Sequence, residues 1–179
     1  MPPNNSLRKT ATVAAVILIF CIAAWQKNHP GTGTTSADVR DVALPTAAQP
    51  GGHDLQHDEE LGGHTLQRHV GRTDAQLRER LERERDISAA STYADRAAAQ
   101  RTVAAALAQN ASRITQWLDR PGEHPNLALQ FHGSDAAGRS LRRGSERAET
   151  CYDAAVVLRW DGGRNYHVLT SYPEAQRGR

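Results

Sequence analysis

The sequence predicts an α+β fold in which N-terminal helices are followed by an antiparallel β-sheet, and three observations predict it. Between residues 73 and 118, apolar residues recur at the spacing of amphipathic helices. From residue 127 onward, apolar residues alternate with polar ones or form β-branched runs, as strands do. A glycine-rich turn separates the last two runs, which is typical of a hairpin in an antiparallel sheet.

The helices are marked by their ends as well as by their periodicity. The first begins at a capping-box pattern, with Thr73 as the N-cap and Gln76 three positions later, and is predicted to run to about Arg85. The second predicted helix, residues 93–109, is rich in alanine. The third, residues 113–118, is short and ends before a proline.

The strands are predicted in the C-terminal third of the chain. Residues 127–132 alternate between apolar and polar side chains, and residues 154–160 form a mainly apolar run that includes Val156, Val157 and Trp160, as strands do. Residues 161–164 form the turn, and residues 165–172 form the return strand. These segments predict the antiparallel sheet.

Cysteine usage shows how such a fold must be stabilised. The two cysteines, Cys21 and Cys151, lie far apart in unlike segments, so we expect both thiols to be free. The core must therefore hold the domain together without a disulfide. That core is mainly aliphatic, because the chain has only 2 Phe, 3 Trp and 4 Tyr.

The basic residues of the C-terminal two thirds are all arginine. The net charge is only +2, and the two lysines, Lys9 and Lys27, precede residue 31. Arginine offers a rigid fork of donors that matches phosphate geometry. Many of these arginines alternate with glutamate along the first helix, which is typical of a solvated helix face rather than a binding site.

Residues 1–30 resemble a targeting segment. Arg8 and Lys9 precede an uncharged run from residue 11 to residue 25, which is short for a full membrane span and similar to a signal peptide. An uncleaved anchor, a cleaved signal and a lipoprotein site at Cys21 are all open. In each case we expect export, either as an inner-membrane anchored protein facing the periplasm or as a protein secreted after signal cleavage.

The remaining chain divides into a linker and a domain. Residues 31–61 are rich in Gly, Thr, Ala, Pro and acidic residues without sustained periodicity, so we expect a flexible linker. Histidines and aspartates at positions 53–58 could bind a metal weakly, but a flexible polar tract fits them better. Residues 62–179 form the predicted folded domain.

Five residues of this domain carry the groups that metal-free cleavage of RNA needs. His69 lies just before the first predicted helix, Arg80 lies on that helix, and His64 lies five residues before His69. Thr170 and Tyr172 face the same side of the last strand, because side chains alternate along a strand. Histidine transfers protons near neutral pH, while arginine and hydroxyl groups stabilise a negatively charged phosphorane. RNA supplies its own nucleophile, the 2′-hydroxyl.

Three alternatives stay open within this site. His64 competes with His69 as the main catalytic histidine, and both could instead bind a metal together with acidic neighbours. His167 would add a second catalytic histidine, but in a regular strand it faces away from Thr170 and Tyr172. Only a β-bulge between them would change that.

Several motifs of the folded domain together resemble one known family. The motifs are Gly-His-Thr-Leu-x-Arg-His-Val-Gly-Arg-Thr at 63–73, Leu-x-x-Arg-Leu at 77–81, Ala-Ser-Thr-Tyr-x-Asp-Arg-Ala at 90–97, Val-Val-Leu-Arg at 156–159 and Val-Leu-Thr-Ser-Tyr-Pro at 168–173. In them the chain resembles the bacterial RNase A-like toxin domain. That domain forms the C-terminal end of contact-dependent growth inhibition proteins and other polymorphic toxins.

The resemblance implies an RNase A-like fold without disulfides and an endoribonuclease that needs no metal or other cofactor. It implies catalytic roles for His69, Arg80, Thr170 and Tyr172, RNA cleavage that leaves 2′,3′-cyclic phosphate ends, and a cognate immunity protein as partner. We expect a monomer whose N-terminal segment engages a membrane or an export machinery. The alternative is a catalytically inactive, membrane-tethered domain that binds RNA or protein on the same scaffold.

Overall fold

A computed structural model describes residues 53–175, and this part of the chain contains five helices and six strands. The helices are α1 (Leu55–Glu60), α2 (Thr65–His69), α3 (Asp74–Arg83), α4 (Arg96–Gln109) and α5 (Ala111–Leu118). The strands are β1 (Ala89–Tyr93), β2 (Leu127–His132), β3 (Gly138–Arg142), β4 (Glu149–Cys151), β5 (Asp153–Gly162) and β6 (Asn165–Glu174).

The strands form two antiparallel sheets, which confirms the predicted α+β class. The strand order is β1-β3-β4 in the first sheet and β2-β5-β6 in the second. The second sheet is the predicted one, and β2 has the predicted bounds. The first sheet was missed because its strands are short and rich in small or polar residues, without the alternation that marks a half-buried strand.

The helix ends follow the predicted chemistry, with one correction. In α3 the Thr73 hydroxyl accepts the Gln76 N–H at 3.3 Å and the Gln76 side chain accepts the Thr73 N–H at 2.9 Å, so the capping box is formed. The second predicted helix starts three residues too early. Tyr93 ends strand β1, and α4 begins after Asp95, whose side chain caps the Ala98 N–H at 2.7 Å.

The main core lies between α4 and one face of the second sheet. Small residues on α4 allow that helix to approach the sheet closely, and the strands supply larger aliphatic side chains. The fully buried members from these elements are Ala99, Val103, Ala106, Leu129, Ala154, Val156, Leu158 and Val168. A second, smaller cluster joins α3 to the first sheet through Leu77, Leu81, Ala90 and Leu141.

Helix α1 lies inside the range that the sequence predicts as linker, so the linker prediction fails for residues 55–60. Asp54 caps the helix by accepting the Gln56 N–H at 3.0 Å. Leu55 is fully buried in the main core. The sequence does not predict this helix, because six residues are too few to show helical periodicity. The domain boundaries otherwise stay predictions.

The targeting segment and Cys21 lie outside the described residues. Cys151 is buried and free, and burial raises the pKa of its thiol to about 11.

Across residues 53–175, no helix has the length and apolar character that crossing a membrane would require.

Strand β6 contains a bulge that decides where its side chains point. Thr170 pairs with Val157 and Val168 pairs with Leu158, which leaves Leu169 as an extra residue. An extra residue reverses the side-chain alternation on either side of it. Val168 therefore faces the main core, whereas Thr170 faces the opposite side of the sheet.

The same bulge corrects the expectation for His167. In a regular strand this histidine would face away from Thr170 and Tyr172. His167 pairs with Arg159, which lies two positions along β5 from the partner of Thr170. Paired residues and alternate residues share a face, so His167 lies on the same face as Thr170 and Tyr172.

Candidate active site

Helix α2 carries the first candidate residues and is held in place by its neighbour. The helix has only five residues, too few to be stable alone. The Glu59 carboxylate, at the end of α1, accepts the N–H groups of Leu66 at 2.6 Å and Gln67 at 3.2 Å. These bonds satisfy the start of α2 and fix its orientation against strand β6.

His69 ends α2 and is nearly buried, with 6 % of its surface exposed. Its Nδ1 atom lies 3.2 Å from the Ser91 carbonyl oxygen on β1. A carbonyl oxygen only accepts, so the neutral ring carries its proton on Nδ1 and donates it to Ser91. Nε2 is then the unprotonated nitrogen, which is the form that a general base requires.

The hydroxyl-bearing residues of β6 face this histidine. The rings of His69 and Tyr172 are tilted, with centroids 5.4 Å apart. Thr170 lies two residues before Tyr172 on the same face, opposite Val157. The fold thus brings together groups that lie about a hundred residues apart in the sequence.

Arg80 supplies the positive charge of the cluster. It lies on α3 with 16 % of its side chain exposed, and its Nε donates to the Glu84 carboxylate at 3.2 Å. Its Nη1 atom is buried and has no hydrogen-bond partner in the described part of the chain. One end of the guanidinium is therefore anchored while the other has donors to offer.

The surroundings keep His69 neutral. Burial lowers the pKa of His69 most strongly, and the positive charge of Arg80 lowers it further. The hydrogen bond to Ser91 opposes these effects, and the resulting pKa is about 3. At neutral pH the imidazole is therefore a base without charge.

His64 belongs to the same cluster. It precedes α2, and its backbone N–H donates to the Leu169 carbonyl at 3.0 Å. Burial, followed by the charges of Arg68 and Arg80, lowers the pKa of His64 to about 4. Both histidines therefore lie close to Arg80, and the ring of His69 also contacts that of Tyr172.

Three polar atoms around this cluster are buried without a hydrogen-bond partner in the described residues. They are Nη1 of Arg80 and the hydroxyl oxygens of Thr65 and Thr170. Such atoms cost about 1–3 kcal/mol each when nothing binds them, so a group of them indicates a place prepared for a ligand. A guanidinium and two hydroxyls are donors, and donors together with positive charge suit an anion.

Sequence reasoning missed Thr65. It lies four residues before His69 on α2, so the two side chains share one helix face. That spacing was the available signal, but it requires knowing that residues 65–69 are helical. Arg159 is exposed on the same face of the sheet as Thr170, and no local pattern distinguishes it from the other arginines of the chain.

His167 lies nearer the hairpin end of the strand, two ladder positions from Thr170. Its Nδ1 atom lies 2.8 Å from the Asp161 carboxylate, and 2 % of its side chain is exposed. It shares a face with Thr170 but sits next to the hairpin turn. The structure therefore places it with Asp161 rather than with His69 and Arg80.

The metal-site alternative lacks a set of ligands among the described residues. Within 53–175, no three side chains of His, Cys, Asp or Glu are grouped so that they could hold a metal ion. His64 and His69 are surrounded by arginines, whose charge repels a cation.

Comparisons with known proteins identify the family of this chain. The family model for the bacterial CdiA-CT RNase A domain matches residues 63–173, which include all four residues implied by the resemblance. A crystal structure of a CdiA-CT/CdiI complex from Y. kristensenii 33638 is similar, with 27% sequence identity and a TM-score of 0.58. The match covers 63% of this chain and 100% of that chain. No curated protein matches significantly. The chain therefore belongs to the bacterial CdiA-CT RNase A domain family, as its motifs predicted.

Proposed function

We propose that the domain is an endoribonuclease that cleaves RNA without a metal ion and leaves 2′,3′-cyclic phosphate ends. The family supports a ribonuclease, and one observation carries the finer proposal. A buried, neutral His69 lies beside Arg80 and among unpartnered donors. This combination offers a base and an anion site together, which is what transesterification at a phosphodiester needs.

His69 acts as the general base. Because Ser91 accepts the Nδ1 proton, Nε2 takes the proton of the RNA 2′-hydroxyl. The 2′-oxygen then attacks the adjacent phosphorus, and a bond forms between these two atoms. The pKa of about 3 means that the His69 ring is unprotonated over the whole neutral range, so Nε2 carries no proton when RNA binds.

Arg80, Thr170 and Tyr172 act on the phosphate. The unpartnered Nη1 of Arg80 and the Thr170 hydroxyl donate to non-bridging oxygens, whose negative charge grows as the phosphorane forms. The bond from phosphorus to the 5′-oxygen breaks next, and the Tyr172 hydroxyl protonates that oxygen. The protonated His69, in ring contact with Tyr172, returns a proton to the phenolate.

The test uses the full chain with a labelled RNA in excess chelator, comparing wild type with His69→Ala. We expect wild type to leave cyclic phosphate ends and His69→Ala to lose roughly 100- to 10,000-fold in kcat, the usual contribution of general acid–base catalysis. His57→Ala is the matched control, because His57 is 66% exposed on α1. It should retain wild-type activity.

Each other outcome points elsewhere. Binding of RNA by a folded wild type without cleavage would replace the proposal with the inactive binding domain. Full activity of a folded His69→Ala protein would move the base to His64, which lies in the same cluster.

We also propose a protein partner and export for this chain. The similar Y. kristensenii structure is a CdiA-CT/CdiI complex, and by analogy a cognate immunity protein would cover the face that carries Thr170 and Tyr172.

The charged start and uncharged run of residues 1–30 support export, as an anchored or a secreted toxin. Cell fractionation of the full chain would reveal a cytoplasmic protein if export is wrong.

A further inference from the structure

We propose that Asp58 is a positioning residue for the ribonuclease site, acting through the bulge of strand β6. This inference rests on the proposed function and names a residue that precedes the matched range 63–173. Asp58 lies on α1 and is 4 % exposed. A buried carboxylate is costly unless its oxygens are bound, so its partners show what it stabilises.

The two oxygens of Asp58 have different partners. Oδ1 accepts the backbone N–H of Val168 at 3.2 Å, within β6 and next to the bulge residue Leu169. Oδ2 lies 2.7 Å from Nε2 of His53, which orients the carboxylate from its outer side. The bond to Val168 is buried and joins residues 110 positions apart in the sequence.

The bulge needs such a partner because β6 is the edge strand of its sheet. Among the described residues only β5 pairs with it, so within 53–175 the outward-facing backbone groups of β6 have no strand to bind. A bulge leaves further groups unpaired. An unpaired N–H that is buried destabilises its surroundings, and Asp58 removes that cost at Val168.

The chain after Asp58 holds the other side of the bulge. The Asp58 carbonyl accepts the Gly63 N–H at 2.8 Å, and the next residue, His64, donates its N–H to the Leu169 carbonyl at 3.0 Å. A Cβ on Gly63 would lie 2.6 Å from the Val168 oxygen, so only glycine allows this approach. The segment from Asp58 to His64 thus binds the bulge at two backbone groups.

The bulge in turn decides which face Thr170 and Tyr172 occupy. If the extra residue were lost or displaced, side chains on one side of it would turn to the opposite face. Tyr172 would leave His69, and the Thr170 hydroxyl would leave the phosphate site. Asp58 is not among the groups proposed to bind or cleave RNA, so its proposed effect on the reaction passes through β6.

Three variants of the full chain separate this role from general support of the fold. Asp58→Ala removes the acceptor for Val168, whereas Asp58→Asn keeps an oxygen acceptor and loses only the charge. Asp54→Ala is the matched control, because Asp54 caps the same helix. Its side chain accepts the backbone N–H groups of Gln56 and His57, and both of these residues belong to α1. Measured quantities are kcat and KM on RNA, and hydrogen exchange at the Val168 amide.

We expect Asp58→Ala to lower kcat roughly tenfold to a hundredfold with little change in KM, the scale of a small misplacement at an active site. Exchange at Val168 should accelerate in this variant. Asp58→Asn should restore most of kcat, and Asp54→Ala should leave kcat near wild type. Unchanged kcat in a folded Asp58→Ala protein, or equal losses in the two alanine variants, would overturn the proposal.

The two proposals fail in distinguishable ways. If wild type does not cleave RNA, the proposed function falls and amide exchange alone decides the role of Asp58. Faster exchange at Val168 in Asp58→Ala, but not in Asp54→Ala, would then support the contact to the bulge. Equal exchange in both variants would overturn it.

Discussion

Two buried histidines lie near opposite ends of strand β6, His69 on the neighbouring helix α2 and His167 on the strand itself. The two differ in the groups that lie beside the ring. Near the C-terminal end, His69 donates to the Ser91 carbonyl and has Arg80 close by. Near the hairpin turn, His167 has the Asp161 carboxylate at 2.8 Å. One histidine sits among positive charges and unpartnered donors, and the other sits against a negative charge.

The difference shows why residue type alone does not identify a catalytic histidine. Burial and a nearby arginine favour the neutral ring, so His69 can accept a proton. His167 instead has its Nδ1 atom 2.8 Å from the Asp161 carboxylate, which holds the ring in a stable structural arrangement. Both histidines lie on or against the same strand, yet only one has the surroundings of a base beside an anion site.

The largest effect expected from the comparison is at Arg80. Replacing it by glutamine removes the charge that distinguishes the His69 end, and we expect kcat to fall roughly 100- to 1,000-fold, as when a donor to a developing oxyanion is lost. The measurement is single-turnover cleavage of RNA. Arg83→Gln is the control, since Arg83 pairs with Glu79 on the same helix and is 66% exposed. Equal activity of the two variants would contradict the role of Arg80.

A smaller effect is expected in the pH dependence of kcat/KM. Protonation of His69 removes the base, and its pKa is about 3 in the free protein, so activity should persist well below pH 6.5. An ordinary histidine would lose about tenfold per pH unit below 6.5. In Arg80→Gln the acid limb should move to higher pH. A limb near 6.5 in wild type would show that the catalytic base does not have a lowered pKa in the free protein.

The pH dependence of the free energy of unfolding gives a second, independent measure of the pKa of His69. Unfolded His69 has a pKa near 6.5 and binds a proton that the folded form excludes down to about pH 3. The unfolded state therefore binds more protons in this window, and the free energy of unfolding falls as the pH drops. The slope is about 1.4 kcal/mol per pH unit for His69. Denaturant unfolding would detect it, and His69→Gln should reduce it.

The smallest effect on activity is expected at the other end of the strand. Asp161→Ala leaves Nδ1 of the buried His167 without its partner, which should lower the free energy of unfolding by about 1–3 kcal/mol. We expect kcat to stay within a few-fold of wild type, because this end is remote from Tyr172. A hundredfold loss of kcat in a folded Asp161→Ala protein would place His167 in the reaction.

Much of the second sheet could be predicted because its signals are local. The alternation in β2 and the glycine turn of the last hairpin depend only on neighbouring residues, and the capping box of α3 does too. The first sheet lacked such signals. Its strands β1 and β3 pair with each other although about fifty residues separate them in the sequence. No local sequence pattern therefore predicts them.

The sequence by itself determined the fold class, the family and the identity of the candidate groups, because motifs and residue types are local properties. Only the tertiary structure decided how those groups meet. The bulge at Leu169 sets the faces of Thr170, Tyr172 and His167, and bulges follow from the packing of a whole strand edge. The pKa of His69 is likewise set by burial and by Arg80, eleven residues away on another helix. Burial and charge proximity exist only in three dimensions, so no reading of neighbours along the chain could supply them.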